Sequence, residues 1–358
     1  PLPEFGIIHA PIQNMETVVE PITIETIILS INQTISIAEL VYSFGAGTIT
    51  TALTPGAGSN EYFGIIPPQS PGTVITYYIH AVDGDGNEYF SPSTAPDIQH
   101  FFLIGNTVSF PALFTDDSEA DQGWTLGVPS DGASTGIWVR EDPNGTTNNG
   151  QPLQPEDDHT IDGITAFVTG NAPFDGTNAG DDDVDDGTTT LVTPTMNLLG
   201  AVNPVFSYWR WYSNNLGDAP NADDWVVQVT ADGQNWFDLE QTSQSEASWI
   251  YKQFLLNQYI EMSDQVQVRF IADDSGDGSL VEAAVDDVFI LNGISVNLVF
   301  GDVDFDGEVS INDVLQIVDY IFGFIQPNGI QLYVADLNQD GNLNVIDALI
   351  LIQMILNP

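Results

Sequence analysis

Apolar and polar residues alternate with a period of two along all but the C-terminal part of the chain. Runs such as ITIETIILS, AELVYSF, EYFGIIP and TVITYYIHAV are rich in β-branched and aromatic residues, and turn signals such as Pro-Gly and Asp-Gly-Asp-Gly-Asn separate them. Short runs at this spacing predict antiparallel strands packed as a sandwich. We expect residues 1–105 to form the first module of this kind.

One turn in this module has the beginning of a calcium-loop pattern. Asp83, Asp85 and Asn87 alternate with glycines, but Thr94 stands where the loop would need a terminal carboxylate. We therefore interpret the segment as a β-hairpin.

Residues 106–296 predict a second and larger all-β module. Its strand patterns include PVFSYWRWYSN, DWVVQVTADGQNWFDL, QVQVRFIAD and AAVDDVFIL, and the second of these reads as a hairpin. In YWRWY the alternation places Trp209 and Trp211 on one face of a strand. Tyr208, Arg210 and Tyr212 lie on the other face. An aromatic face could stack on sugar rings. The alternative, which we favour, is that one face is core and neighbouring strands cover the other.

The period changes to a helical one in the last part of the chain, residues 297–358. Two apolar patterns of the i, i+3, i+4 type each follow an acidic loop, and they predict two helices that pack face to face into one small core. The apolar positions are Val314, Leu315, Ile317, Val318, Ile321 and Phe322, then Ala348, Leu349, Leu351, Ile352, Ile355 and Leu356. A unit this small usually needs a metal or a partner for stability.

Charge narrows the choice of partners. The 358 residues carry 51 Asp and Glu against four Lys and Arg, a net charge of −47. Because phosphate groups are bound by clustered Lys and Arg, nucleic acids and anionic membranes are improbable partners. Cations are the partners that this charge favours. Acidic solubility or adaptation to salt is the alternative interpretation of this charge. The chain has no cysteine and no apolar run long enough to span a bilayer. Because it begins at Pro1, we expect a mature or trimmed extracellular product.

The acidic loops have the spacing of EF-hand-type calcium loops. Calcium takes six to eight oxygen ligands, and alternate positions of a tight turn direct side chains inward while a glycine at position six permits the bend. The predicted ligands of the first loop are Asp302, Asp304, Asp306, Glu308 (through its carbonyl), Ser310 and Asp313. Those of the second are Asp336, Asn338, Asp340, Asn342, Asn344 and Asp347. Aspartate closes both loops, where EF-hands carry glutamate.

The two copies, GDVDFDGEVSINDVLQIVDYIFG and ADLNQDGNLNVIDALILIQMI, lie 34 residues apart, and no helical pattern precedes either loop. They closely resemble a dockerin, the calcium-dependent module that inserts into a cohesin domain of another protein. The resemblance implies Ca²⁺ as cofactor and a partner choice influenced by the residues before each closing aspartate. These are Ile311, Asn312, Val345 and Ile346. They are more apolar than the Ser-Thr pair of many cellulosomal dockerins, which suggests a different partner.

The upstream modules also resemble known families. PPQSPGTVITYYIHAVDGDGNEYFSP is similar to the end of a fibronectin-III or immunoglobulin-like domain. DQGWTLG, DDDVDDGTTTLVTPTMNL and VEAAVDDVFI resemble jelly-roll accessory modules of secreted bacterial proteins of zinc-carboxypeptidase type and, more distantly, MAM domains. Jelly rolls of this kind often bind structural calcium, so acidic clusters near strand ends are candidates, with solvated acidic loops as the alternative. The candidates are Asp117, Glu119, Asp183, Asp185, Asp286 and Asp287.

Catalytic motifs are missing from the sequence. Four histidines occur without zinc-site spacing, and there is no G-x-S-x-G elbow, P-loop or cysteine nucleophile. We interpret His159 as a loop residue or a neighbour of a calcium site. The sequence thus predicts a mainly β multidomain, non-catalytic extracellular protein: an Ig/FnIII-like sandwich, a jelly-roll sandwich and a small α-helical dockerin.

Two functional hypotheses remain open. In the first, the dockerin docks into a cohesin-like or Ig-like domain, on a partner or on another copy, and builds a filament or surface layer. In the second, the chain is the accessory tail of a secreted hydrolase that binds polysaccharide or anchors to a scaffold.

Overall fold

The computed structural model describes most of the chain. The described residues are 5–18, 20–31, 34–44, 47–58, 60–106, 109–172, 180, 182–276, 278–293, 300–304, 308–325, 327, 331, 334–338 and 342–356. By their contacts, Pro1–Pro111 with Gly293–Pro358 form one compact unit and Ala112–Asn292 form the other. None of the helices in the described ranges has the length and apolar character that a bilayer span requires.

The N-terminal β-sandwich has two antiparallel sheets. Its strands are β1 (Phe5–Ile8), β2 (Ile22–Ser30), β3 (Ile35–Ser43), β4 (Ile49–Ala52), β5 (Thr54–Pro55), β6 (Glu61–Ile66), β7 (Thr73–Asp83), β8 (Glu88–Ser91) and β9 (His100–Ile104). One sheet has the order β1-β2-β6-β5, and the other has the order β4-β3-β7-β8 with β9 also paired to β7. Alternate residues of β2, such as Ile24 and Ile28, are fully buried against Leu40 of β3 and Phe102 of β9. The period-two pattern is thus the inward face of each strand.

The Asp-Gly-rich turn of this sandwich is the predicted hairpin. Strands β7 and β8 pair around it, and one carboxylate oxygen of Asp83 accepts the backbone N–H groups of Asp85 and Asn87, both at 2.9 Å. The Asp83 side chain therefore stabilises the turn itself.

The middle β-sandwich contains the larger core. Its strands are β10 (Ala112–Asp116), β11 (Thr125–Leu126), β12 (Trp138–Glu141), β13 (Thr147–Asn148), β14 (Gln151–Pro152), β15 (Ala166–Thr169), β16 (Gly187–Val192), β17 (Pro204–Ser213), β18 (Trp225–Thr230), β19 (Trp236–Thr242), β20 (Glu246–Leu255), β21 (Gln267–Asp274) and β22 (Glu282–Asn292). One sheet has the order β12-β15-β22-β17-β20, with β10 beside β22, and the other has the order β11-β16-β21-β18-β19. Trp138, Trp225 and Phe270 lie in the core between them.

Strand β17 confirms the predicted alternation. Tyr208, Arg210 and Tyr212 are buried on its inner face, whereas Trp209 and Trp211 are half-buried on its outer face. The buried guanidinium of Arg210 is neutralised by Glu240, at 2.6 Å, and by Glu246. A charge can occupy this core position because it is paired and hydrogen-bonded.

The described residues of the C-terminal segment include the α-helices α1 (Ile311–Ile321) and α2 (Val345–Leu356). They pack against each other around a small core that includes Val314, Ile317, Ala348 and Leu351. Several residues of the predicted apolar pattern are instead exposed: Leu315, Phe322, Leu349 and Leu356. The expectation that the whole pattern forms one core was therefore too broad, because two short helices can bury only the facing stripe of each. The described residues bear out the mainly β class, and the three module boundaries remain a prediction.

Candidate calcium centres and docking face

The first acidic loop is organised by its closing residue. One carboxylate oxygen of the fully buried Asp313 accepts the N–H groups of Val303, at 2.6 Å, and Asp304, at 3.1 Å. The other oxygen accepts the N–H of Ser310, at 2.8 Å. The Asp313 side chain therefore joins the beginning of the loop to its end, where helix α1 starts.

The second loop repeats these contacts at the equivalent positions. Asp347, also fully buried, accepts from the N–H groups of Leu337, at 3.0 Å, and Asn338, at 3.3 Å, through one oxygen. Its other oxygen accepts from the N–H of Asn344, at 2.9 Å. The described ends of the two loops are thus held by the same hydrogen bonds.

Local sequence explains why each helix begins where it does. Ser310 caps α1, since its hydroxyl accepts from the N–H of Asn312, at 3.1 Å. The Asp313 carboxylate in turn accepts from the N–H of Ser310, which completes a capping box. In the second copy Asn344 takes this role toward the N–H of Ile346, at 2.9 Å. The closing aspartate also lies in the first turn, where a negative charge suits the helix dipole.

A glycine directly precedes the first loop for a steric reason. Gly301 has a positive φ of 95°, and a Cβ atom there would lie 2.5 Å from the side chain of Leu351 in α2. Its N–H donates to the carbonyl of Val334, at 2.9 Å, just before the second loop. The first loop therefore packs closely on the second repeat.

The first loop has a donor set that fits calcium. Ligand oxygens of Asp302, Asp304 and Asp313 lie within 4.8 Å of one another, and this is the one such trio of acidic or histidine side chains among the described ranges. Oxygens that share an ion at 2.3–2.6 Å are separated by at most roughly 5 Å. All four Lys and Arg residues lie in the middle β-sandwich sequence, so neither loop contains a basic side chain.

The remaining predicted ligands lie around the same two loops. Glu308, Ser310, Asp336, Asn338, Asn342 and Asn344 belong to the described loop positions, whereas Asp306 and Asp340 lie outside the described residues. The assignment of individual ligands remains a prediction.

The two helices present a duplicated apolar surface, which we name the docking face. On α1 and the residue after it, Ile311, Leu315 and Phe322 are 59%, 58% and 69% exposed. Their counterparts 34 residues later are 63%, 54% and 73% exposed: Val345, Leu349 and Leu356. Spacings of four and eleven residues place each trio on one side of a helix. The predicted partner residues Asn312 and Ile346 are also exposed, beside these trios.

The jelly-roll calcium candidates separate into two groups. The first contains Asp286 and Asp287 of β22. Asp286 is fully buried and accepts from the N–H groups of His159, at 2.9 Å, and Thr160, at 3.1 Å, while Asp287 is 2.6 Å from the His159 ring. This places His159 beside an acidic group, as the sequence indicated.

Glu119 and Asp117 lie next to this first group. Glu119 accepts from the N–H groups of Ile164, at 2.7 Å, and Thr165, at 2.8 Å, and these bonds lower the pKa of its carboxyl. The backbone carbonyl of the exposed Asp117 accepts a hydrogen bond from the hydroxyl of Thr160, at 3.4 Å.

Asp158 also belongs to the first group, although the sequence analysis missed it. One of its carboxylate oxygens is buried without a hydrogen-bond partner. Burial, followed by the charge of Asp286, raises the pKa of Asp158 to about 7. Its position in the acidic run EDDH was the available signal.

The second group contains Asp183 and Asp185, before β16. Burial, followed by the charge of Asp183, raises the pKa of Glu282. Glu282 lies four residues from Asp286, or about 13 Å along β22. The six sequence candidates therefore do not converge on one site.

The outer face of β17 and β20 is aromatic but partly covered. Trp209 stacks on the His159 ring with 3.7 Å between centroids, and the indole N–H of Trp211 donates to the carbonyl of Leu153. Trp249 and Tyr251 lie beside them on β20, and Tyr251 is exposed. The expected cover was neighbouring strands. Trp209 and Trp211 are instead covered by His159 and Leu153, which lie in the connection between β14 and β15.

Comparison with known proteins identifies the C-terminal part. The family model described as "Dockerin type I domain" matches residues 300–356. No curated protein matches the chain.

Three solved structures are similar in part. They are TmCBM61 in complex with β-1,4-galactotriose (11% identity, TM-score 0.32, 51% of this chain and 99% of the other), the K3 cleaved adhesin domain of Lys-gingipain from Porphyromonas gingivalis (13%, 0.26, 47% and 99%), and the xylan-binding domain from CBM 22 (10%, 0.30, 51% and 96%).

The duplicated loops, the capped helices and the family match agree on one module. Dockerin type I domains bind Ca²⁺ and pair with cohesins. Residues 300–356 of this chain are a dockerin type I domain.

Proposed function

We propose that this protein is a non-catalytic, calcium-stabilised extracellular assembly protein whose dockerin inserts into a cohesin-like or Ig-like domain. The observation that carries the proposal is the docking face. Six large apolar residues stand exposed at equivalent positions of two helices in a protein of net charge −47. Exposed apolar groups arranged on one surface favour a protein partner, because covering them removes apolar area from water.

Calcium has a defined role in this proposal. The loops hold the beginnings of α1 and α2, and the buried carboxylates of Asp313 and Asp347 link each loop to its helix. Bound Ca²⁺ supplies the charge that offsets the crowded carboxylates. A site held at 100 times its dissociation constant adds about 2.7 kcal/mol to stability.

The receptor can belong to another protein or to a neighbouring copy of this chain. A receptor on a neighbouring copy makes a head-to-tail contact, and such contacts propagate into filaments or layers when the rotation does not close. A receptor on another protein makes this chain a component of a larger assembly of the cellulosome type.

Light scattering and negative-stain microscopy of the purified chain, with calcium and after chelation, test the proposal. Calcium-dependent polymers would establish self-assembly, and the variant Leu315→Ser with Leu349→Ser should remain monomeric. A monomer in both conditions would exclude self-assembly, and binding to a panel of cohesin domains would then be measured. A chain that neither polymerises nor binds a cohesin would contradict the proposal.

A second candidate function is polysaccharide binding by an accessory module. It is favoured by Tyr251, which is exposed on the outer face of β20, two residues from the half-buried Trp249. Aromatic rings in such positions can stack on sugars. Retention on insoluble polysaccharides, lost in Trp249→Ala and Tyr251→Ala and kept in Phe237→Ala, would support it. Phe237 is the control because it is an exposed aromatic residue of the other sheet.

A further inference from the structure

Two histidines meet between the sheets of the N-terminal β-sandwich. His9 follows β1 of one sheet and His100 begins β9 of the other, and their ring centroids are 5.3 Å apart. Tyr77 of β7 lies beside both rings, with its centroid 5.6 Å from that of His9 and 5.3 Å from that of His100. Tyr77 is fully buried. We name these three residues the histidine–tyrosine cluster.

The hydrogen bonds of His9 fix which of its ring nitrogens carries the proton. Nδ1 lies 2.7 Å from the backbone carbonyl of Glu25, and because a carbonyl can only accept, Nδ1 donates. Nε2 lies 2.8 Å from the hydroxyl of Tyr77. In neutral His9 this nitrogen is therefore an acceptor, and the Tyr77 hydroxyl donates to it. Burial raises the pKa of Tyr77 to about 12, so the hydroxyl keeps the proton that it donates.

The same hydroxyl holds the segment that follows β1. Its oxygen accepts from the N–H of Ile12, at 3.0 Å. Further along the segment, the N–H of Met15 donates to the carbonyl of Leu103, at 2.9 Å, and the carbonyl of Met15 accepts from the N–H of Gly105, at 2.7 Å. Residues 9–15 thus cross from one sheet to the other, and the histidine–tyrosine cluster lies where this crossing begins.

A proton added to His9 disrupts this arrangement. Nε2 becomes a donor, and it then faces a hydroxyl oxygen that already accepts from Ile12. The Tyr77 hydroxyl loses its acceptor, and its hydrogen is left in a buried position, where an unmade hydrogen bond is costly. The new charge also lies close to the His100 ring, so each imidazole disfavours protonation of the other.

The titratable groups that face His9 come from four strands. They are Glu25 on β2 and Glu61 on β6, which line an open groove with His9, together with Tyr77 on β7 and His100 on β9. The sandwich sequence, residues 1–105, contains no Lys or Arg.

Burial outweighs these neighbours at both histidines. It is the largest effect on His9 and lowers its pKa, although the hydrogen bond to Glu25 opposes the shift. At His100, Nε2 lies 3.2 Å from the hydroxyl of Ser91 on β8, and burial followed by the charge of His9 lowers the pKa to about 4. Both rings therefore resist protonation in the folded sandwich.

We propose that the histidine–tyrosine cluster is an acid-sensitive latch, which holds residues 9–15 across the two sheets while its imidazoles are neutral and releases them when the imidazoles are protonated. The latch is independent of the dockerin and goes beyond the proposed function. In the released segment the rings are hydrated and bind protons near pH 6.5. The released state therefore binds more protons, and its population rises as the pH falls below that value, about tenfold per pH unit for each proton taken up.

Hydrogen exchange of the full chain in calcium, followed by mass spectrometry and corrected for the intrinsic effect of pH on exchange, tests the proposal. From pH 7 to pH 5 the amides of Ile12 and Met15 should lose protection, while those of β18 and β21 in the middle sandwich keep theirs. His9→Gln is the decisive variant. Glutamine can donate to the Glu25 carbonyl and accept from Tyr77, but it cannot be protonated. It should therefore keep the segment protected at both pH values.

Three further variants complete the series. His80→Gln makes the same change in the same sandwich, at a ring that stacks on Phe90 instead of belonging to the cluster, and it should show the wild-type loss of protection. His100→Gln should make the loss less steep with pH, because one of the two imidazoles is gone. Tyr77→Phe removes both hydrogen bonds of the hydroxyl and should expose the segment at pH 7 as well as at pH 5.

The tautomer of His9 provides a readout on the wild-type protein. The chain has four histidines, so their imidazole nitrogen resonances can be separated by NMR after histidine labelling. At pH 7 His9 should carry its proton on Nδ1 and none on Nε2. A proton on Nε2 would overturn the proposal, and so would an equal loss of protection in His9→Gln and the wild-type protein.

Discussion

Asp313 and Asp347 are related by a translation of 34 residues in sequence, and they make the same three hydrogen bonds. Each accepts from the N–H groups at the second and third loop positions and from the N–H at the ninth. Both side chains are fully buried. The two residues therefore connect the beginning of each dockerin loop to its end.

The first prediction concerns these closing residues. Asp313→Asn retains the shape of the side chain but removes the charge and part of the acceptor capacity. We expect the calcium-dependent gain in dockerin stability, about 2.7 kcal/mol per site at 100 times the dissociation constant, to be lost for that loop. Thermal unfolding with calcium and with chelator measures it.

The matched control is Asp319→Asn, which makes the same change in α1 but outside the loop. It should keep the full response to calcium. A normal calcium response in Asp313→Asn would show that the first loop does not depend on its closing carboxylate.

The second prediction uses the duplication of the docking face. Leu315 and Leu349 occupy equivalent positions and are similarly exposed, at 58% and 54%. If either helix can contact the partner, each single change to Ser should weaken partner binding only slightly, and the double change should abolish it. Titration calorimetry against the identified partner, cohesin or receptor domain, measures the affinity.

Met354→Ser is the control for this series. Met354 is exposed on α2 but lies about 180° around the helix from Val345. It should leave the affinity unchanged. A complete loss of binding in one single variant would show that only one helix is used.

The third prediction concerns pH and the N-terminal sandwich. Burial, followed by the charge of the neighbouring His9 ring at 5.3 Å, lowers the pKa of His100 to about 4. In the unfolded chain this group titrates near 6.5. Between these values the unfolded state binds more protons, so His100 makes stability fall as the pH drops from about 6.5 to about 4.

His100→Gln should reduce this part of the pH dependence. Between pH 6.5 and 4 the wild-type protein should lose on the order of 2 kcal/mol more free energy of unfolding than His100→Gln. This figure includes a reduction for the partial exposure of His100. Denaturant unfolding at several pH values measures it, and the comparison cancels the carboxylates that titrate in both proteins. His80→Gln in the same sandwich is the control. Parallel curves for the wild-type protein and His100→Gln would be evidence against a role for His100.

The fourth prediction concerns the buried charge of the middle sandwich. Arg210→Ala removes one of the two cationic partners of Glu240, whose side chain is only 11% exposed, and leaves Lys252 at 2.9 Å. Because Lys252 still offsets part of the charge of Glu240, the loss should lie at the lower end of the range for a broken buried pair, about 3 kcal/mol. Arg269→Ala, which loses a ring contact with Trp236 on the outer part of the same sandwich, should cost much less. Equal losses in the two variants would show that burial of Arg210 has no special effect.

The sequence by itself determined the features that depend on local spacing. Period-two alternation predicted the sandwich strands, because successive side chains of a strand point to opposite faces. The two acidic loops and the helices after them were also visible, because a calcium loop and its capping residue lie within about a dozen positions. Ser310, Asp313 and Asp347 could therefore be identified before any fold was known.

Tertiary structure decided which distant residues meet. Asp223 and Ser279 gave no local signal, and only the fold brings the Ser279 hydroxyl to the Asp223 carboxylate, to which it donates. The same holds for the docking face, because the apolar patterns of α1 and α2 do not reveal which residues the other helix covers. Leu351 is buried and Leu349 is exposed for one physical reason: two short helices bury only the stripes that face each other.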